Sequence, residues 1–169
     1  FDTVTPITHF DGVVRALIHK FKYAKLRFLC QTLNEIVTTR SHLKPIVQDV
    51  DIIVPVPLHW LKKFHRGFNQ SELLSRGIQN HFSKPVSARN LCRIRNTVSQ
   101  TYLSKTKRRE NVHNAFTVKR PGLFAGKSIL LVDDVLTTGV TASECARKLK
   151  EAGAGRVHLF VLAIAEHGK

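Results

Sequence analysis

Ser128-Ile129-Leu130-Leu131-Val132-Asp133-Asp134-Val135-Leu136-Thr137-Thr138-Gly139-Val140-Thr141 is the stretch on which the reading of this chain turns. Its opening run is apolar on consecutive residues, which suits a strand over 128–132 buried on both faces. Asp133 and Asp134 follow at the carboxyl end of that strand, where both are expected to leave the pleat and meet a ligand. Thr137, Thr138, Gly139 and Thr141 then lead into a helix over 140–151, so backbone amides, hydroxyls and the positive end of the helix dipole converge. A phosphate suits that turn. Carboxylates beside an anion pocket suit sugar hydroxyls or the water shell of a magnesium ion, so a phosphorylated ribose satisfies both halves. The plainer alternative is an acid pair that ends a strand and caps a helix.

Working outward, 157–165 reads as a third strand after the helix, with Ala142, Cys145, Ala146 and Leu149 on the helix's inner stripe. Upstream, 51–56 is a short, β-branched buried strand closed by a turn at Pro57. Asn69 with Glu72 resembles a capping box that opens a helix over 69–82. Nearer the amino end, apolar spacing predicts a basic amphipathic helix over 10–23. A second helix, carrying Leu26, Leu29, Cys30, Leu33, Ile36 and Val37, is expected to stop before Pro45. Residues 91–119 lack periodicity and read as a mobile basic loop, with a strand at 115–118. Alternating strands and helices imply an open, mostly parallel α/β sheet with ligands beyond the carboxyl ends of its strands. Gly122 to Ser128 imitates a P-loop, but three residues separate its glycines where four are needed, and it precedes its strand.

The 169 residues suit one domain over 1–169, and 43% hydrophobic with 23% charged residues argues against disorder. The longest apolar run, 159–165, is seven residues, against about twenty for a membrane-spanning helix. Three scattered cysteines argue against a disulfide framework and for a reducing cytoplasm. Cys30 and Cys145 read as core residues, and the nine histidines show no convincing ligand spacing, His59 and His65 being expected on a loop. The chain has no Met and begins at Phe1, so an upstream segment is expected. Net charge is +15, of which residues 51–120 carry +11. So concentrated a field favours a polyanion, the bland alternative being a solvated surface.

The acid pair followed by a Thr-rich turn resembles the 5-phosphoribosyl 1-pyrophosphate (PRPP) motif of type I phosphoribosyltransferases. Pro55-Val56-Pro57-Leu58, Arg66-Gly67-Phe68-Asn69-Gln70-Ser71, and Arg93, Thr97, Gln100, Leu103, Arg108, Asn111 and Phe116 narrow the likeness to the ComF (GntX-like) competence family. That resemblance implies a type I phosphoribosyltransferase-like sheet flanked by helices, and a cytoplasmic role in natural transformation, handling single-stranded DNA beside other DNA-processing proteins. It implies PRPP binding by Asp133, Asp134, Val135, Leu136, Thr137, Thr138, Gly139, Val140 and Thr141, with Val56, Pro57, Leu58 and Arg66 at the diphosphate. Catalytic weight would rest on Asp133, Asp134 and Arg108. Magnesium would come with the ligand and water near the two acids, with no direct protein cage. Many members carry a four-Cys zinc module before the first helix; no Cys-x-x-Cys occurs here.

Such a transfer passes through a cationic ribose and needs orientation and exclusion of water more than a nucleophile. The segment 93–111 would be the lid. Lys62, Lys63, Lys105, Lys107, Arg108 and Arg109 would also serve single-stranded DNA. Trp60, Phe64 and Phe68 recur every fourth residue and suit either base stacking or, as the expected side, the core. A nucleobase-salvage transferase and a DNA-binding module without turnover remain the competing classes, and the acceptor and oligomeric state are unspecified.

Overall fold

The computed structural model describes residues 1–10, 12–23, 33–35, 37, 39, 43–96 and 110–165. Among them run β1 (Thr3–His9), α1 (Gly12–Tyr23), α2 (Leu43–Gln48), β2 (Ile52–Pro55), α3 (Trp60–Arg66), α4 (Gln70–Phe82), β3 (Leu91–Arg93) and β4 (Phe116–Val118). A 3-10 turn (Pro121–Leu123), β5 (Ser128–Leu136), α5 (Val140–Glu151) and β6 (Arg156–Ile164) follow. Four strands form a parallel sheet in the order β1-β6-β5-β2, while β3 and β4 pair antiparallel apart from it.

Burial on both faces explains the apolar run in β5. Ile129 and Leu131 pack with Ala142, Cys145 and Leu149 of α5, whereas Leu130 and Val132 pack with Leu74 and Ile78 of α4 and Ile18 of α1. Burying such a side chain contributes roughly 1.5–3 kcal/mol, so this strand anchors both layers. β2 lies beside β5 but leads to the α4 face, and β5 leads to the α5 face. Connections that part in this way open a crevice at the carboxyl ends of the two strands.

Several expectations change. β1 was not foreseen: Pro6 interrupts its run, and only an edge position, here against β6 alone, tolerates that missing N–H. Pro45 sits in the first turn of a separate helix, α2, where its N–H has no partner to lose, and the stretch in which the second predicted helix would stop, 40–42, lies outside the described residues. The loop expected over 91–119 carries β3, β4 and a helical turn at 110–112, and its remainder, 97–109, lies outside the described residues. Three-residue strands are too short to show a period. β5 runs four residues past its expected end because β6 stays paired with it as far as Leu136 and Ile164. Most of the second predicted helix, Cys30 included, also lies outside the described residues. No described helix is long and apolar enough to cross a membrane.

Candidate functional site

Asp133 and Asp134 therefore sit inside β5, and the pleat does not simply alternate across them. Val135 packs with the same core as Val132, and Leu136 with that of Leu131, so the alternation reverses at the acid pair. The acids part company there. Asp133 is half-buried; its Oδ1 accepts from Ser71 Oγ of α4 at 3.0 Å and from the Asp134 amide at 2.9 Å. It lines a cavity of about 50 Å³ together with the unbroken run 135–142. Asp134 is buried and forms no part of that wall.

The turn after β5 is built for an anion. Gly139, at φ +72°, is the N-cap of α5, and this left-handed conformation favours glycine. Glycine brings no side-chain acceptor, and none caps the first amides of α5. Beside them Thr138 Oγ1 is buried with no hydrogen-bond partner. An oxyanion in this small cavity would answer both the amides and that hydroxyl.

The loop after β2 runs next to the end of β5. The Val56 amide donates to Val132 O at 2.8 Å, and Val56 O accepts from Asn69 Nδ2 at 3.0 Å, which ties the loop to β5 and to the start of α4. Asn69 also accepts from the Ser71 amide at 3.2 Å as N-cap, whereas Glu72 turns to Lys63 and Arg76 instead of reaching back; the predicted capping box is half formed. Burial alone would raise the Glu72 pKa, but hydrogen bonds from those two cations hold it below the usual carboxylate range. His59 closes the loop after β2 and N-caps α3, its buried ring accepting from the Leu61 amide; His65, expected on the same loop, lies within α3. Burial, then Arg93 and Lys62, press the His59 pKa down. Arg66 ends α3 just before the start of α4, donates to Gln70 Oε1 at 2.9 Å, and lines neither the cavity at Asp133 nor the one over Pro57 and Leu58.

Arg93 enters the sequence reading only as the first residue of the expected lid, and Ser71 enters no site reading. Arg93 lies on β3 with its guanidinium 5.3 Å from the Phe116 ring centroid. Burial lowers its pKa, opposed by Cys145 and by Asp133, and it stays protonated. Ser71 reaches Asp133 across 62 residues of chain, a contact no local pattern could signal.

Residues 75–169 match the family model described as phosphoribosyl transferase domain. The chain is 30% identical to Competence protein F of Haemophilus influenzae over 98% of its own length and 74% of that protein. It belongs to the ComF-type competence family. It is also 32% identical to DNA utilization protein YhgH of Escherichia coli K12, covering 86% of this chain and 65% of that one, so it spans only part of these relatives. Glutamine PRPP amidotransferase from B. subtilis, solved with ADP and GMP, matches with a TM-score of 0.51 at 21% identity, over 78% of this chain and 25% of that one. This likeness concerns the fold, which is that of type I phosphoribosyltransferases.

In this ComF-type chain the aromatic trio divides. Phe68 is 5% exposed and belongs to the core, but Trp60 and Phe64 are 67% and 81% exposed on α3, against the expectation that the rings face inward. Lys62, beside them, has its pKa lowered by burial and by Arg93 and Arg66. Cys145 is buried as expected. Thr97, Gln100, Leu103, Lys105, Lys107, Arg108 and Arg109 lie outside the described residues, and with them most of the expected lid.

Proposed function

We propose that this chain binds PRPP with magnesium in the crevice between β5 and β2, and handles incoming single-stranded DNA on the cytoplasmic side. The observation that carries the reading is the start of α5: a glycine N-cap without a side-chain acceptor, with the orphaned Thr138 hydroxyl beside it. The 5-phosphate would lie in that turn, within Val135, Leu136, Thr137, Thr138, Gly139, Val140 and Thr141. Asp133 would accept from the ribose hydroxyls, with Asp134 supporting the strand behind it. The loop of Val56, Pro57 and Leu58 would face the diphosphate. Asp133 is a hard oxygen donor on the cavity wall, so a hydrated magnesium fits beside it; when bound, that ion would neutralise charge on the departing diphosphate. Arg66 is engaged by Gln70, and its role at the diphosphate would require that bond to open.

Exposed Trp60 and Phe64, next to Lys62 and Lys63, support a place for unstacked bases. They also favour a second reading, a DNA-binding module without turnover whose PRPP site is vestigial. Calorimetric titration of PRPP, with and without magnesium, into the wild type, Asp133→Asn and Thr138→Val tests the site. Each variant is expected to bind at least about tenfold more weakly, the scale of one charge-assisted hydrogen bond. Equal affinity in all three proteins refutes the site. PRPP-dependent pyrophosphate release, scanned over bases, nucleosides and single-stranded DNA, separates enzyme from binder.

A further inference from the structure

A charged concavity lies away from the acid pair, at the outer edge of β2. The chain at 85–87 runs beside β2 there: Ile53 N donates to Pro85 O, and Ser87 N to Ile53 O. Beyond that edge is a cleft of about 510 Å³ whose charged walls are Arg76, Arg89, Lys119 and Arg120, with no acid. It shares Ala88, Arg89 and Lys119 with the cavity of about 260 Å³ over Pro57 and Leu58, which adds Lys63 and Arg93 and the single acid Glu72. Glu72 is already held by Lys63 at 2.9 Å and Arg76 at 3.0 Å. No described acid pairs with Arg89, Lys119 or Arg120, so their charge faces the cleft uncompensated.

These cations are held in place and not merely solvated. Asn90 is buried, and its side chain accepts from the Arg120 amide at 2.7 Å and donates to Arg120 O at 3.0 Å. Its own carbonyl accepts from the Lys119 amide at 2.9 Å. One buried side chain thus clamps the backbone that presents two adjacent cations along the trough. Exposed Trp60 stands at its other end, in the wall of the smaller cavity.

We infer that this trough is the backbone track for a single-stranded nucleic acid, its phosphates on Arg89, Lys119 and Arg120 and a base on Trp60, leading toward the loop at Pro57 and Leu58. The inference rests on the single-strand reading above and adds a site outside Lys62, Lys63 and residues 105–109. A row of uncompensated cations suits a repeating phosphate, and a stacking platform at its end needs a base that is not already paired.

Trp60 is the one tryptophan of the chain, so its fluorescence reports the track. An oligothymidylate titrated across a salt series is expected to quench it in the wild type. In Arg89→Gln/Lys119→Gln/Arg120→Gln the affinity is expected to fall at least about tenfold at low salt, and the slope of log K on log salt to flatten by about 2, from roughly 0.7 per lost phosphate contact. All three side chains are exposed, so Tm should not move. Wild-type binding with an unchanged variant overturns the track and leaves the single-strand reading standing. A wild type that binds no oligonucleotide at any salt overturns both. A variant that loses inorganic pyrophosphate yet keeps the oligonucleotide makes the trough a small-anion site and overturns the inference, as does equal competition by a duplex.

Discussion

The cradle after β5 and the trough beyond β2, both proposed as phosphate sites, are built in opposite ways. The cradle is one run of chain, residues 133–142, that works through backbone amides, a left-handed glycine and a hydroxyl. The trough gathers side chains from α4, the approach to β3 and the exit of β4, and would work through full charges, two of them on backbone that one asparagine clamps. A site of fixed amides is specific in shape and responds weakly to salt, whereas a row of exposed cations is tolerant of shape and strongly screened. In one molecule the first suits a defined small anion and the second a polymer.

The comparison breaks most readily at Gly139. Gly139→Val forces a β-branched residue to φ +72° and is expected to cost about 1–2 kcal/mol of stability in urea unfolding. The same change should weaken PRPP at least about tenfold, as roughly 1.4 kcal/mol of lost contact would, and leave the oligonucleotide salt slope alone. Loss of both ligands together would show that the two regions are one. Asn90→Ala sharpens the contrast from the other side: loosening the clamp should cost about 1 kcal/mol and lower oligonucleotide affinity without removing a charge or touching PRPP. An unchanged affinity would mean that the cations need no such positioning.

The smallest effect expected is one of pH, at the turn between the two regions. The pKa of His59 is lowered below its ordinary 6.5 on folding, so the unfolded chain binds a proton more readily. Its contribution to stability is therefore present above that ordinary value and lost as pH falls through and below it. Tm should drop between neutral and mildly acid pH, and drop less in His59→Asn. Identical pH profiles would remove His59 from that role.

How much was legible follows from where each feature stores its information. The strand and turn from Ser128 to Thr141 could be read directly, because an apolar run, two acids and a glycine-bearing turn are consecutive in the chain and each has a local cause. The helices at α1, α4 and α5 were legible from their apolar spacing. β1 and β3 were not: one is excused its proline only by an edge position, and the other is three residues long. Within the site, the division of Asp133 from Asp134 was hidden, since the reversal of alternation between Val132 and Val135 depends on which core each side chain meets.

The order of residues alone determined the α/β class, the parallel sheet and the location of the phosphate-seeking turn, because hydrophobic periodicity and turn chemistry act over a few neighbours. Only the tertiary structure decided that Ser71 meets Asp133, that Arg93 lines the cavity over Pro57 and Leu58, and that Arg89, Lys119 and Arg120 share one trough. Those meetings are made by strand order and helix packing, which bring together side chains that no local spacing relates.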